Sequence, residues 1–134
     1  MMAKIKTPLR YPGGKSRAVK HILPLIPPDC GEFCSPFLGG ASVEIAYALQ
    51  NPTTPVYGYD LFTPVVWFWN ALLEDGDALA DAADALRQKH SDFVLDKTKV
   101  RGLLKEDFKD FRKELLKEAQ NGNYSLENAA KVYA

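Results

Sequence analysis

Apolar residues along the chain gather into short runs separated by proline and glycine, and the spacing within each run predicts a different element. Leu9 to Ser16 is a turn built on Pro12, Gly13 and Gly14. It opens onto an amphipathic stretch, Arg17 to Ile26, that stops at Pro27 and Pro28, which predicts a loop and then a helix. Glu32 to Phe37 is a short apolar run containing Pro36. A glycine turn follows at Leu38 to Ala41, and Ser42 is placed to cap a helix over Val43 to Gln50. The breaker Asn-Pro-Thr-Thr-Pro at 51 to 55 leads into a second short strand, Val56 to Tyr59, with Asp60 at its carboxyl end. Strand, glycine turn, helix and strand make a βαβ unit, so the expected class is α/β with a parallel, helix-covered sheet.

Beyond residue 61 the pattern changes. Val65, Val66, Trp67, Phe68 and Trp69 form one dense run that belongs in a core. Asp77 to His90 reads as a helix with acids at its start and Arg87, Lys89 and His90 at its end, as the helix dipole favours. Phe108, Phe111, Leu115, Leu116 and Ala119 fall at helical spacing on one apolar face, and Gly122 follows as a stop. Ser125 is placed to cap a last helix in which Leu126, Ala130 and Tyr133 are in phase. The sequence ends at Ala134, nine residues past that cap.

With 134 residues, 46% of them hydrophobic and 25% charged, the chain has the length and composition of about one globular domain. Formal charge is zero, which at first counts against a nucleic-acid partner. The zero hides an asymmetry. Residues 1 to 28 carry +6 through Lys4, Lys6, Arg10, Lys15, Arg17 and Lys20, residues 29 to 73 carry −4, and residues 74 to 134 carry −2. Cys30 and Cys34 are too few for a disulfide framework and lack the companions of a zinc site, so both are expected as small buried hydrophobes in a reducing compartment. The charged start lacks the apolar stretch of a signal peptide, and Leu61 to Leu73 is too short and too interrupted to span a bilayer, so a cytoplasmic setting is expected.

Three local features bear on chemistry. Gly-Gly-Lys-Ser at 13 to 16 looks like the end of a phosphate-binding loop, but the position that requires the first glycine is Leu9, and no strand leads into it. Ser-Pro-Phe-Leu-Gly-Gly-Ala-Ser at 35 to 42 is a strand end, a glycine turn and a helix start, where a ligand approaches backbone and amides face negative charge. Asp60 stands 21 residues beyond Gly39, the spacing at which nucleotide-binding βαβ units place a carboxylate for ribose hydroxyls. Glu44, in place of a third glycine, would crowd a pyrophosphate by bulk and charge, which disfavours a dinucleotide oxidoreductase. A nucleoside without phosphates fits better, and S-adenosylmethionine is the common one.

In this order the motifs resemble the amino-terminal part of the Dam-like DNA adenine methyltransferases. Tyr11, Pro12, Gly13, Gly14 and Lys15 match that family's aromatic-x-Gly-Gly-Lys motif. Pro36, Phe37, Leu38 and Gly39 match its Pro-Phe-x-Gly turn, and Asp60 its acidic strand end. The helical residues from about 75 on, including 107 to 116, are similar to the start of its target recognition insert.

The resemblance implies a partial Rossmann-like methyltransferase sheet with S-adenosylmethionine as cofactor, held by Tyr11, Lys15, Pro36, Phe37, Gly39 and Asp60. It implies duplex DNA as partner, with Arg10, Arg17 and Lys20 as candidates to face phosphates, and neither a metal nor a membrane. It divides the chain into a cofactor-binding part, 1 to 73, and the opening of a DNA-reading insert, 74 to 134. Two positions depart from the family pattern. Ser35 stands where an acidic residue is usual, and Ala41 where a second glycine is usual, so cofactor affinity is expected to differ. The catalytic Asp-Pro-Pro-Tyr type string occurs nowhere in the 134 residues. That string positions the amine of a flipped adenine, so the chain is expected to be inactive alone, as a fragment of a longer enzyme in preference to a truncated relic. The alternative is a non-catalytic module that binds nucleotide or DNA through its basic first segment.

Overall fold

The computed structural model describes residues 6–89, 109–110 and 112–133. They form two compact units that divide between Leu61 and Phe62. The predicted Phe108, Phe111 and His90 lie outside the described residues.

In the first unit, strand β1 (Phe33–Ser35) pairs in parallel with strand β2 (Val56–Gly58). The register sets Phe33 against Val56, Cys34 against Tyr57 and Ser35 against Gly58. Parallel neighbours require a crossover, and helix α2 (Ser42–Gln50) supplies it. The helix lies on the strands through Tyr47, whose ring stacks on Phe33 at 4.6 Å between centroids. Asn51 ends it, with its amide and its side chain both donating to the Tyr47 carbonyl at 2.9 and 3.0 Å. The expected βαβ unit is present as a two-stranded parallel sheet with its helix.

Two local expectations are corrected here. The helix foreseen over Arg17 to Ile26 is a single α-helical turn, α1 (Val19–Ile22), tightening into a 3-10 turn at Leu23–Leu25. Pro24 has no amide proton to give the preceding turn, so the α pattern cannot continue through it. Neither cysteine is buried: Cys34 is exposed on β1, and Cys30 is half-buried with its thiol donating to the Pro27 carbonyl.

The second unit is helical. Helix α3 (Thr63–Lys89) is interrupted at Asp75, whose backbone is extended at φ −156° and ψ 91°. The Asp75 carboxylate accepts the Ala78 amide at 2.9 Å and so caps the second half of the helix. The aromatic run falls in the first half, where Val65, Trp67, Phe68 and Trp69 are all buried. Helix α4 (112–120) ends at Gly122, which has φ +69°, and the Asn123 amide returns to the Glu118 carbonyl at 3.0 Å. Of the apolar face expected there, Leu115 is buried but Leu116 is exposed, because the two lie a quarter-turn or more apart on the helix. Helix α5 (Leu126–Tyr133) is capped by the Ser125 hydroxyl, which accepts the Asn128 amide at 3.1 Å.

Ala129 and Ala130, both fully buried, let the α5 backbone approach α3 closely. Around that contact Tyr133 stacks on Phe68 at 5.9 Å, and Arg87 sits over the Tyr133 ring at 5.0 Å. Lys131 bridges α5 to α4 by donating to Glu114 at 2.8 Å, and it lies 3.4 Å from Glu127. None of the helices among the described residues is long and apolar enough to cross a membrane.

Candidate functional site

The first unit brings together residues that the sequence separates by tens of positions. Tyr11, Pro12, Gly13 and Gly14 form a tight turn closed by the Gly14 amide on the Tyr11 carbonyl at 2.9 Å. Proline pre-sets the second position of such a turn, and Gly13, at φ +76°, accepts the left-handed third position. The turn delivers the Tyr11 ring onto the second glycine turn. A Cβ on Gly39 would stand 3.0 Å from Tyr11 Cε1, and one on Gly40 would stand 3.0 Å from Tyr11 Cβ. Both glycines are buried, and Gly39 also has a left-handed backbone at φ +47°.

The same turn is tied to the end of β2. The Gly39 amide donates to Asp60 Oδ2 at 2.8 Å, across 21 residues of sequence. The Leu38 amide donates to the Tyr59 carbonyl, and the Tyr59 amide to the Ser35 carbonyl, both at 2.8 Å. The backbone pairing thus continues past the strands, and the half-buried Asp60 carboxylate meets the glycine turn at their carboxyl ends.

Ala41 closes the turn in a left-handed conformation, φ 50° and ψ 31°, and stands at the N-cap of α2. An L residue there costs about 1–2 kcal/mol that glycine would not. Ser42 does not cap the helix as expected. It is already the first helical residue, no side chain caps that end, and its hydroxyl oxygen is buried without a hydrogen-bond partner.

The remaining candidates are placed differently. Lys15 is exposed and folds back on its own loop, donating to the Gly13 carbonyl at 2.7 Å. Pro36 is exposed, and Phe37 is 82% exposed. Arg10, Arg17 and Lys20 are all exposed, and no ion pair among the described residues involves them. One contact was not foreseen from the sequence: the Ser35 hydroxyl donates to the Glu44 carboxylate. A serine at a strand end and a glutamate in the first turn of the next helix are its only sequence signals. Among the described residues no group of three or more His, Cys, Asp or Glu is arranged to hold a metal ion.

Residues 11–130 match the family described as D12 class N6 adenine-specific DNA methyltransferase. The chain belongs to that family. No curated protein and no solved structure matches it. The match to the D12 class methyltransferases begins on Tyr11, takes in both glycine turns and Asp60, and extends through α3 and α4 into α5. The turn, ring and carboxylate that converge in the first unit therefore all lie inside the family's region.

Proposed function

We propose that residues 9 to 60 hold S-adenosylmethionine and that the chain serves methyl transfer to the N6 amine of adenine in duplex DNA. The observation that carries this reading is the hydrogen bond from the Gly39 amide to Asp60. It fixes a carboxylate beside a glycine turn at the carboxyl ends of two parallel strands, the place where open α/β sheets receive nucleosides.

The residues present suit such a ligand. A carboxylate accepts hydrogen bonds from ribose hydroxyls, the Tyr11 ring offers an apolar flank, and the buried, unpartnered Ser42 hydroxyl leaves polar capacity in the same turn. The paired glycines pack tightly under Tyr11, so the turn holds its shape without side chains of its own. When bound, the cofactor supplies an activated methyl group. Asp60 is assigned to the ribose, Tyr11, Pro36, Phe37 and Gly39 to the walls around it, and Lys15 to the mouth of the loop. Arg10, Arg17 and Lys20 are assigned to DNA phosphates, an electrostatic and salt-dependent role. Residues 1 to 73 are taken as the cofactor-binding part and 74 to 134 as the start of the DNA-reading insert.

No Asp-Pro-Pro-Tyr type string is present to orient the adenine amine. These residues by themselves are therefore expected to bind cofactor and to give no tritium transfer to DNA above background. The test is isothermal titration with S-adenosylhomocysteine. Binding by the wild-type chain and at least tenfold weaker binding by Asp60→Ala are expected; equal binding by the two, or binding by neither, overturns the reading.

A further inference from the structure

Glu44 is the third residue of α2, the position from which a glutamate ordinarily reaches back to the amide at the start of its own helix. Here that amide, on Ala41, is already bonded to the Leu38 carbonyl at 2.8 Å. The carboxylate turns instead toward β1 and accepts the hydroxyl of Ser35, a residue only 7% exposed. Ser35 is the last residue of its strand and pairs with Gly58, two positions before Asp60. Two carboxylates, carried by different elements, therefore stand at the carboxyl ends of neighbouring strands that run about 5 Å apart.

The pairing sets the chemistry of what fits. A hydroxyl donated to one carboxylate oxygen fixes the orientation of the group. Such a carboxylate repels phosphate and attracts a cation. A ligand with neutral hydroxyls at one end and an ammonium at the other matches Asp60 and Glu44 respectively. Ser35, one of the two positions that depart from the family pattern, is the residue that holds Glu44 in place.

We propose that Glu44, oriented by Ser35, binds the α-ammonium of the cofactor's amino-acid part and selects a nucleoside thioether carrying an amino acid over one lacking it. This rests on the cofactor reading above. The test titrates wild type, Glu44→Gln and Ser35→Ala with S-adenosylhomocysteine and with 5′-methylthioadenosine, which has the same nucleoside and thioether but no amino acid. Glutamine keeps an oxygen for the Ser35 hydroxyl and removes only the charge. Glu44→Gln is expected to weaken S-adenosylhomocysteine about tenfold, equivalent to about 1.4 kcal/mol, while methylthioadenosine stays within about twofold. Ser35→Ala, which leaves the carboxylate but not its orienting partner, is expected to give a smaller loss on the first ligand alone. If S-adenosylhomocysteine binds wild type and Glu44→Gln changes both ligands equally or neither, the ammonium assignment is overturned while the cofactor reading stands. If neither ligand binds wild type, the cofactor reading falls and takes this assignment with it.

Discussion

Replacing Gly39 with alanine separates two costs that the structure superimposes at one residue. The first is the backbone. Gly39 is left-handed at φ +47°, where an alanine costs about 1–2 kcal/mol, offset by about 0.4–1 kcal/mol from the stiffer unfolded chain. The second is contact, since the new Cβ would stand 3.0 and 3.1 Å from two carbons of the Tyr11 ring. Comfortable carbon contacts lie near 3.5–4.0 Å, so the ring must move, at about 1–3 kcal/mol. The half-buried ring has room to give way, which places the total near 2–3 kcal/mol.

Gly13 is the control, left-handed at φ +76° with nothing within 4 Å of its added Cβ. Gly13→Ala should therefore cost only the backbone part, about 1 kcal/mol. Both tryptophans, Trp67 and Trp69, lie in the second unit, so tryptophan fluorescence does not report on this one. Amide hydrogen exchange in peptides covering 33 to 60 does. Exchange there should accelerate about fivefold in Gly13→Ala and about thirtyfold or more in Gly39→Ala. In a Tyr11→Ala background the Gly39→Ala effect should shrink to the backbone part, a coupling of about 1 kcal/mol or more. Equal acceleration in the two glycine variants, or no relief from removing the ring, would refute the packing of Tyr11 on the glycine turn.

The second unit offers two further tests. Asp75→Ala removes the cap on the second half of α3 and should cost about 1 kcal/mol in urea unfolding followed by tryptophan fluorescence, with Asp75→Asn nearly neutral. Burial pulls the Lys131 ammonium down, but its hydrogen bond and charge pairing with Glu114, together with Glu127, outweigh this and hold it above the ordinary 10.5. A raised lysine adds stability that is complete below its unfolded value and is lost as pH rises through the folded one. The wild-type urea midpoint should therefore fall above about pH 10.5 more steeply than that of Lys131→Met, and parallel profiles would contradict the bridge.

The βαβ core of the first unit was legible because its signals are local and period-based. Prolines bracket β1 and β2, the helix between them is short, and the 21-residue spacing of Gly39 and Asp60 becomes a direct hydrogen bond. What escaped the sequence depends on tertiary competition. Ser42 was placed to cap α2, but Ala41 takes the cap position because the turn closes one residue earlier, on Leu38. Glu44 had its customary helix partner taken by that same closure and found Ser35 instead. The residues from 63 to 74 gave no helical period because the run is apolar on nearly every face, and tertiary burial rather than amphipathicity makes them a helix. Cys34 looked like core material, yet its strand presents it to solvent. Lys15 and Phe37, singled out by their motifs, are both exposed, and Lys15 folds back on the Gly13 carbonyl, a local contact that motif spacing does not encode.

Amide exchange with and without S-adenosylhomocysteine tests most directly whether residues 9 to 60 hold the cofactor. Saturating ligand should slow exchange in the segments holding Leu38 to Ala41 and Gly58 to Asp60, together with the Tyr11 to Lys15 turn. The helices of the second unit should remain unchanged. Protection confined to the second unit, or none anywhere at saturating ligand, would contradict the assignment of residues 9 to 60 to the cofactor.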